Sequence, residues 1–206
     1  MSFWVEKVRI LCTWLFVICL IALFAVTDAY WTRLPIIEES LMALGCFLVG
    51  MGMIGRAWCS VYIAGKKDAQ LVSQGPYALC RNPLYLFSFL GALGVALASE
   101  TMTIPALVFA TFMVYYAFVI RAEEKRLRVL FVPEFDAYLK SVPRFFPTLQ
   151  SWNLMLASEE MKCVIHPRRI RASFMDLIWF VGLIGIVELI SACHETQLLP
   201  VYFYLY

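Results

Sequence analysis

Long apolar runs decide what this chain can fold into. One extends from about Ile10 to Val26, a second from Leu41 to Ile63, a third from Ile104 to Arg121 and a fourth from Phe174 to Ser191. Each approaches the roughly 20 residues that an α-helix needs to cross a bilayer, and in hydrocarbon only helices and closed barrels satisfy their own backbone. A shorter run, Leu84 to Ala98, follows Pro83, which suits a first helical turn because its missing N–H would be unpaired there. Hydrophobic residues make up 62% of the sequence, against about 45–50% in a soluble domain. The expectation is a single all-α domain, a polytopic membrane bundle of about five transmembrane helices with amphipathic cytoplasmic helices.

The run after Lys7 and Arg9 has the flanks of a signal peptide, but it is on the long side for an h-region and no convincing small-x-small cleavage site follows. It reads as a spanning helix, with Tyr30 and Trp31 as interfacial aromatics and Pro35 as a breaker before the second helix. Gly45, Gly50, Gly52 and Gly55 make one side of that second helix small. Arg56, near its end, either snorkels to the headgroups or faces a polar cavity. Ser99-Glu100-Thr101 forms a reversal between the short helix that follows Pro83 and the helix from Ile104 to Arg121, the third and fourth helices in chain order. Beyond Arg121, the residues Leu127, Leu130, Phe131, Phe135, Tyr138 and Leu139 recur at helical spacing, and Pro133 divides them into two short amphipathic helices. The tail from Leu198 to Tyr206 is aromatic and reads as interfacial.

Basic residues orient the chain. About ten follow the fourth helix, and Lys66, Lys67 and Arg81 lie in the 64–83 connection, whereas the first outer loop holds only Arg33. An inside N-terminus satisfies every loop and brings 64–85 and 121–147 to the cytoplasmic face, in a bacterial inner membrane. Net charge +2 says nothing about nucleic acid, but the basic residues sit beside apolar runs rather than forming a binding stripe, so no nucleic-acid partner is expected. The cysteines at 12, 19, 46, 59, 80, 163 and 193 lack C-x-x-C spacing, and His166 and His194 have no ligand-spaced partners, so neither a disulfide framework nor a metal site is expected.

Two stretches carry groups suited to chemistry. Gly75-Pro76 supplies a turn, Asn82 stands at a helix start where unpaired N–H groups attract polar ligands, and Tyr77 and Tyr85 offer flat faces and hydroxyls. Capping and packing explain the same residues. Glu123 and Glu124, at the end of the fourth helix, sit at the unfavourable end of the helix dipole and suit a ribose diol; pairing with Arg121, Arg126 or Arg128 is the alternative.

Arg81-Asn82-Pro83-Leu84-Tyr85 resembles the R-H/N-P-x-Y motif of the isoprenylcysteine carboxyl methyltransferase and phospholipid methyltransferase superfamily. Glu123-Glu124, Leu127, Phe131, Tyr138 and Val142-Pro143-Arg144 through Pro147 are similar to its E-E-x-x-L-x-x-x-F-G-x-x-Y-x-x-Y and V-P-R-x-x-P segments. Leu71-Val72 resembles the lead into its G-P-Y, and the likeness covers about 56–147. It implies a membrane enzyme moving a methyl group from S-adenosylmethionine to a lipid-like or prenylcysteine-like acceptor. Carried over, cofactor contacts fall on Leu71, Val72, Tyr77, Asn82, Pro83, Tyr85, Glu123 and Glu124, while Arg81 and Arg121 orient substrate or the methionine carboxylate and Arg144 anchors the closing segment. Asn82 for histidine, Leu86 for glycine, Val132-Pro133 for glycine and Phe135 for tyrosine depart from the pattern and bear mainly on the substrate. An NADPH-dependent sterol-type reductase and a non-catalytic membrane scaffold are the alternatives.

Overall fold

The structure is a computed structural model that describes residues 3–30, 35–64, 69–157 and 167–205. Helix α1 spans Phe3–Ala25, α2 Pro35–Ile63, α3 Pro76–Leu79, α4 Pro83–Leu97, α5 Thr103–Leu130, α6 Glu134–Ser141, α7 Leu149–Ala157 and α8 Pro167–Glu195. Three stretches, Ile36–Ile63, Thr103–Leu130 and Ile178–Glu195, are long and apolar enough to cross a membrane; Leu11–Ala25 and Pro83–Leu97 are shorter apolar helices. Phe47, Ile54, Val114, Phe118 and Leu189 point outward from these helices. Water would penalise such a surface and lipid does not.

Several helix ends differ from the sequence expectation. Pro35 opens α2 rather than breaking the chain ahead of it, because a first-turn proline gives up an N–H that has no helical partner. Helix α5 runs on to Leu130, so Glu123 and Glu124 lie inside it and not at its end. The dipole penalty is confined to the last turn and does not fall on them. Leu127 and Leu130 accordingly belong to α5, and only Phe135, Tyr138 and Leu139 belong to α6. The tail is not merely interfacial: β2 (Phe203–Leu205) pairs in parallel with β1 (Thr27–Ala29), tying the exit of α1 to the C-terminus. Three-residue strands are too short to leave a period in the sequence. Trp31, Arg33, Lys66, Lys67, Cys163 and His166 lie outside the described residues.

Helices α2 and α4 meet backbone to backbone. A Cβ on Gly52 would come within 2.7 Å of the Gly91 nitrogen, and one on Gly94 within 2.6 Å of the Gly45 carbonyl oxygen. Gly50 has no neighbour within 4 Å of its would-be Cβ, so it leaves the small stripe that the sequence drew through it. At 3.6 residues per turn it sits about 140° round the helix from Gly45. At one end of the bundle Phe24, Ala96, Ile104, Val108, Val187 and Ile190 form a core between α1, α4, α5 and α8. At the other, Phe135, Tyr138 and Val142 form a second cluster with Leu71, Leu127 and Phe131 around it.

The α4–α5 turn at the first end carries a titratable group. Burial raises the Glu100 carboxyl above the usual range, and the charges of Glu38, Glu188, Asp28 and Glu195 push the same way. A carboxyl whose folded pKa is raised holds its proton more tightly in the folded state, so stability falls as pH climbs from about 4 through the folded value. Glu100→Gln should raise the melting temperature at pH 7 and leave it unchanged below about pH 4; an equal shift at both pH values would refute this account.

Candidate functional site

The second cluster is assembled from a turn. Gly75 has φ +59°, in the left-handed region, and a Cβ there would lie 2.3 Å from Cε1 of Tyr62. Alanine meets both obstacles, the first worth about 1–2 kcal/mol. Gly75→Ala should therefore lower the melting temperature by several degrees, and an unchanged value would show that the turn tolerates a side chain. The turn delivers α3, whose Tyr77 carbonyl accepts a 2.6 Å hydrogen bond from the Tyr138 hydroxyl on α6. Tyr138→Phe removes that buried bond and leaves the carbonyl unsatisfied, a loss of about 1–3 kcal/mol readable by thermal unfolding.

The residues after α6 lie along the start of α4. The Arg81 N–H donates to the Pro143 carbonyl at 2.9 Å, and Asn82 Nδ2 donates to the Arg144 carbonyl at 3.0 Å. Asn82 thus ties down the closing segment and makes no side-chain cap for α4; its own carbonyl accepts from the Tyr85 and Leu86 N–H groups. Glu124 receives two arginines: Arg81 Nη1 at 3.0 Å from Oε1 and Arg144 Nη2 at 2.7 Å from Oε2. Both oxygens are occupied. Glu123 sits 3.9 Å from Arg126 Nη1, and Arg128 pairs instead with Asp136.

Buried polar atoms without partners mark the interior of this cluster. Among the described residues, the Tyr77 hydroxyl and Arg81 Nε are buried and make no hydrogen bond. A buried hydroxyl and a buried guanidinium N–H are groups that a ligand could engage. Burial pushes the Tyr77 and Tyr138 phenols well above the ordinary range and the Cys80 thiol up to about 12, so all three stay protonated at neutral pH.

The predicted residues do not all gather. Arg81, Asn82 and Glu124 are joined directly or through Arg144, Tyr77 is tied to α6 through Tyr138, and Pro83 is buried. Leu71 packs against the Phe135–Tyr138–Val142 core, and Val72 is part-exposed. Tyr85 meets Tyr116 edge-on at 5.0 Å, and Tyr116 stacks on Phe112 at 3.9 Å. Arg121 is exposed on α5, and none of these bonds reaches it. Tyr116 was missed because an aromatic within a spanning run reads as lipid-facing; its place two turns before Glu123 on one helix face was the available sign.

Next to this polar cluster lies a cavity of about 530 Å³ between α1, α2, α4, α5 and α8. None of the predicted site residues lines it; Tyr116, which touches Tyr85, does. Arg56 and Ser88 lie on its wall, and Arg56 Nη1 donates to the Ser88 hydroxyl, which itself donates to the Leu84 carbonyl at 2.7 Å. The Arg56 guanidinium carbon is 6.0 Å from the Phe180 ring centre.

Apolar helices of spanning length, with a polar cluster that joins two distant stretches of the chain, define a helical membrane protein. The chain belongs to the phospholipid methyltransferase family, whose profile matches residues 40–134. It is 34% identical over 166 residues to the nickel-cobalt-cadmium resistance protein NccN of Alcaligenes xylosoxydans xylosoxydans, covering 81% of this chain and 75% of the relative. It is 36% identical over 163 residues to the cobalt-zinc-cadmium resistance protein CzcN of Cupriavidus metallidurans, covering 79% and 73%. No solved structure gives a significant match.

Proposed function

We propose that the protein is a membrane methyltransferase that uses S-adenosylmethionine and a lipophilic acceptor at the cytoplasmic face, with five spans and an inside N-terminus. The observation that carries this reading is the pair of buried, unpartnered polar atoms, Tyr77 Oη and Arg81 Nε, in the cluster where 75–85 meets 124–144. The donor set fits the cofactor. Glu123 offers acceptor oxygens to a ribose diol, Arg81 a cation to the methionine carboxylate, and Tyr77 and Tyr85 aromatic faces to the adenine or sulfonium. Leu71, Val72 and Pro83 supply apolar wall, and Asn82 fixes the strand that closes over it. Glu124, held by Arg81 and Arg144, positions Arg81.

When bound, S-adenosylmethionine supplies an activated methyl group; the protein's part is alignment and exclusion of water. The relatives' names support tolerance of divalent metal cations as the process this methylation serves. Calorimetry of the detergent-solubilised protein tests the reading. S-adenosylhomocysteine should bind wild type, and Glu123→Gln should weaken it at least tenfold, about 1.4 kcal/mol. A thermal shift with NADPH and none with S-adenosylhomocysteine would favour a reductase. No shift with either would favour a scaffold.

A further inference from the structure

Arg121 is the predicted residue that the cofactor cluster leaves out. Neither it nor Lys125, one turn on, makes a hydrogen bond or ion pair with any described residue, and both side chains are exposed. They share one face of α5. At 3.6 residues per turn, Leu107, Val114, Phe118, Arg121 and Lys125 fall within about 60° of arc. The first three are large, apolar and exposed, Val114 by 63% and Phe118 by 65%, as a lipid-facing surface allows. The cavity takes a different side of the helix, through Val108, Phe112, Tyr115 and Tyr116.

Height along the helix agrees with that face. Counted from Thr103, where α5 begins, Arg121 lies about 27 Å and Lys125 about 33 Å along the axis. A hydrocarbon core is about 30 Å thick, so the two cations straddle its edge at the level of the headgroups. The carboxylates between them in sequence are engaged elsewhere: Glu123 faces Arg126, and Glu124 is held by Arg81 and Arg144.

We propose that Arg121 and Lys125 bind the phosphate of an anionic phospholipid whose acyl chains lie along Phe118, Val114 and Leu107. The guanidinium offers two parallel N–H bonds to phosphate oxygens, and the ammonium adds a second positive charge. Two unpaired cations favour a headgroup with net negative charge; in a zwitterionic lipid the choline offsets the phosphate. Free phosphate would match the cations and leave the apolar stretch beside them unused. The lipid sits on the outside of the bundle and is not the methyl acceptor. Its binding depends on the chain's place in a membrane and not on methyl transfer.

The experiment places the photoreactive residue p-benzoylphenylalanine at Phe118 of the full chain, in nanodiscs of equal parts phosphatidylglycerol and phosphatidylcholine. Lipid adducts are counted by mass spectrometry after irradiation. Phosphatidylglycerol adducts should outnumber phosphatidylcholine adducts about tenfold. The same probe at Leu189, exposed on α8 beside the other core, should give equal numbers. Arg121→Gln combined with Lys125→Gln should bring the ratio at Phe118 to parity, and Arg121→Lys should keep most of it. Because both positions are exposed, the double variant should melt with wild type in pure phosphatidylcholine. Equal adducts at Phe118 in wild type, a preference that survives the double substitution, or the same preference at Leu189 overturns the proposal. Inorganic phosphate, compared with chloride at equal ionic strength, should leave the ratio unchanged. A ratio that falls to parity would mean that the cations take free phosphate, and would overturn the assignment to lipid.

Discussion

Glutamine in place of Glu124 should lower the stability of the protein by about 2–3 kcal/mol and also weaken S-adenosylhomocysteine binding by at least tenfold. Removing one member of a fully buried ion pair costs about 3–5 kcal/mol, because the other charge is left desolvated. Glu124 and Arg81 are nearly that deep, with side chains 13% and 14% exposed. Arg144 is half-exposed at 51%, so its share is screened and small. The melting temperature should fall by about 5–10 °C for a chain of this size. Binding suffers for a separate reason: an untethered Arg81 no longer presents its guanidinium in one place. A change of less than a degree, with unaltered binding, would mean that the two arginines do not depend on this carboxylate.

Gly52→Leu should have the larger effect and leave little folded protein. The would-be Cβ at Gly52 meets the Gly91 nitrogen at 2.7 Å and the Phe87 carbonyl oxygen at 2.8 Å, and backbone cannot step aside as a side chain does. Overpacking in a tight core costs about 1–3 kcal/mol when side chains can yield, and more when helices must separate. Separation would also pull Ser88 on α4 away from Arg56 on α2. Gly50→Ala is the control. Its Cβ enters open space, and replacing a mid-helix glycine should gain about 0.5–1 kcal/mol. Size-exclusion profiles and thermal unfolding of the two variants check both statements; similar behaviour would show that the α2–α4 contact has room for a side chain.

By itself the sequence determined that the chain enters a membrane as helices, because apolar run length and the need to satisfy backbone groups in lipid leave few other solutions. It also determined that the polar residues around Arg81 and Glu124 belong together, through motifs whose order is visible without coordinates. The tertiary structure decided which partner each charge takes. Glu124 bonds to Arg81 and Arg144 and Glu123 faces Arg126, a choice set by the azimuth of each side chain on α5. The end of α5, the exclusion of Gly50 from the helix contact, the strand pairing of the tail and the inward reach of Arg56 were decided there as well. Each depends on what lies across a gap from a residue far away in the chain, and local pattern carries no record of that distance.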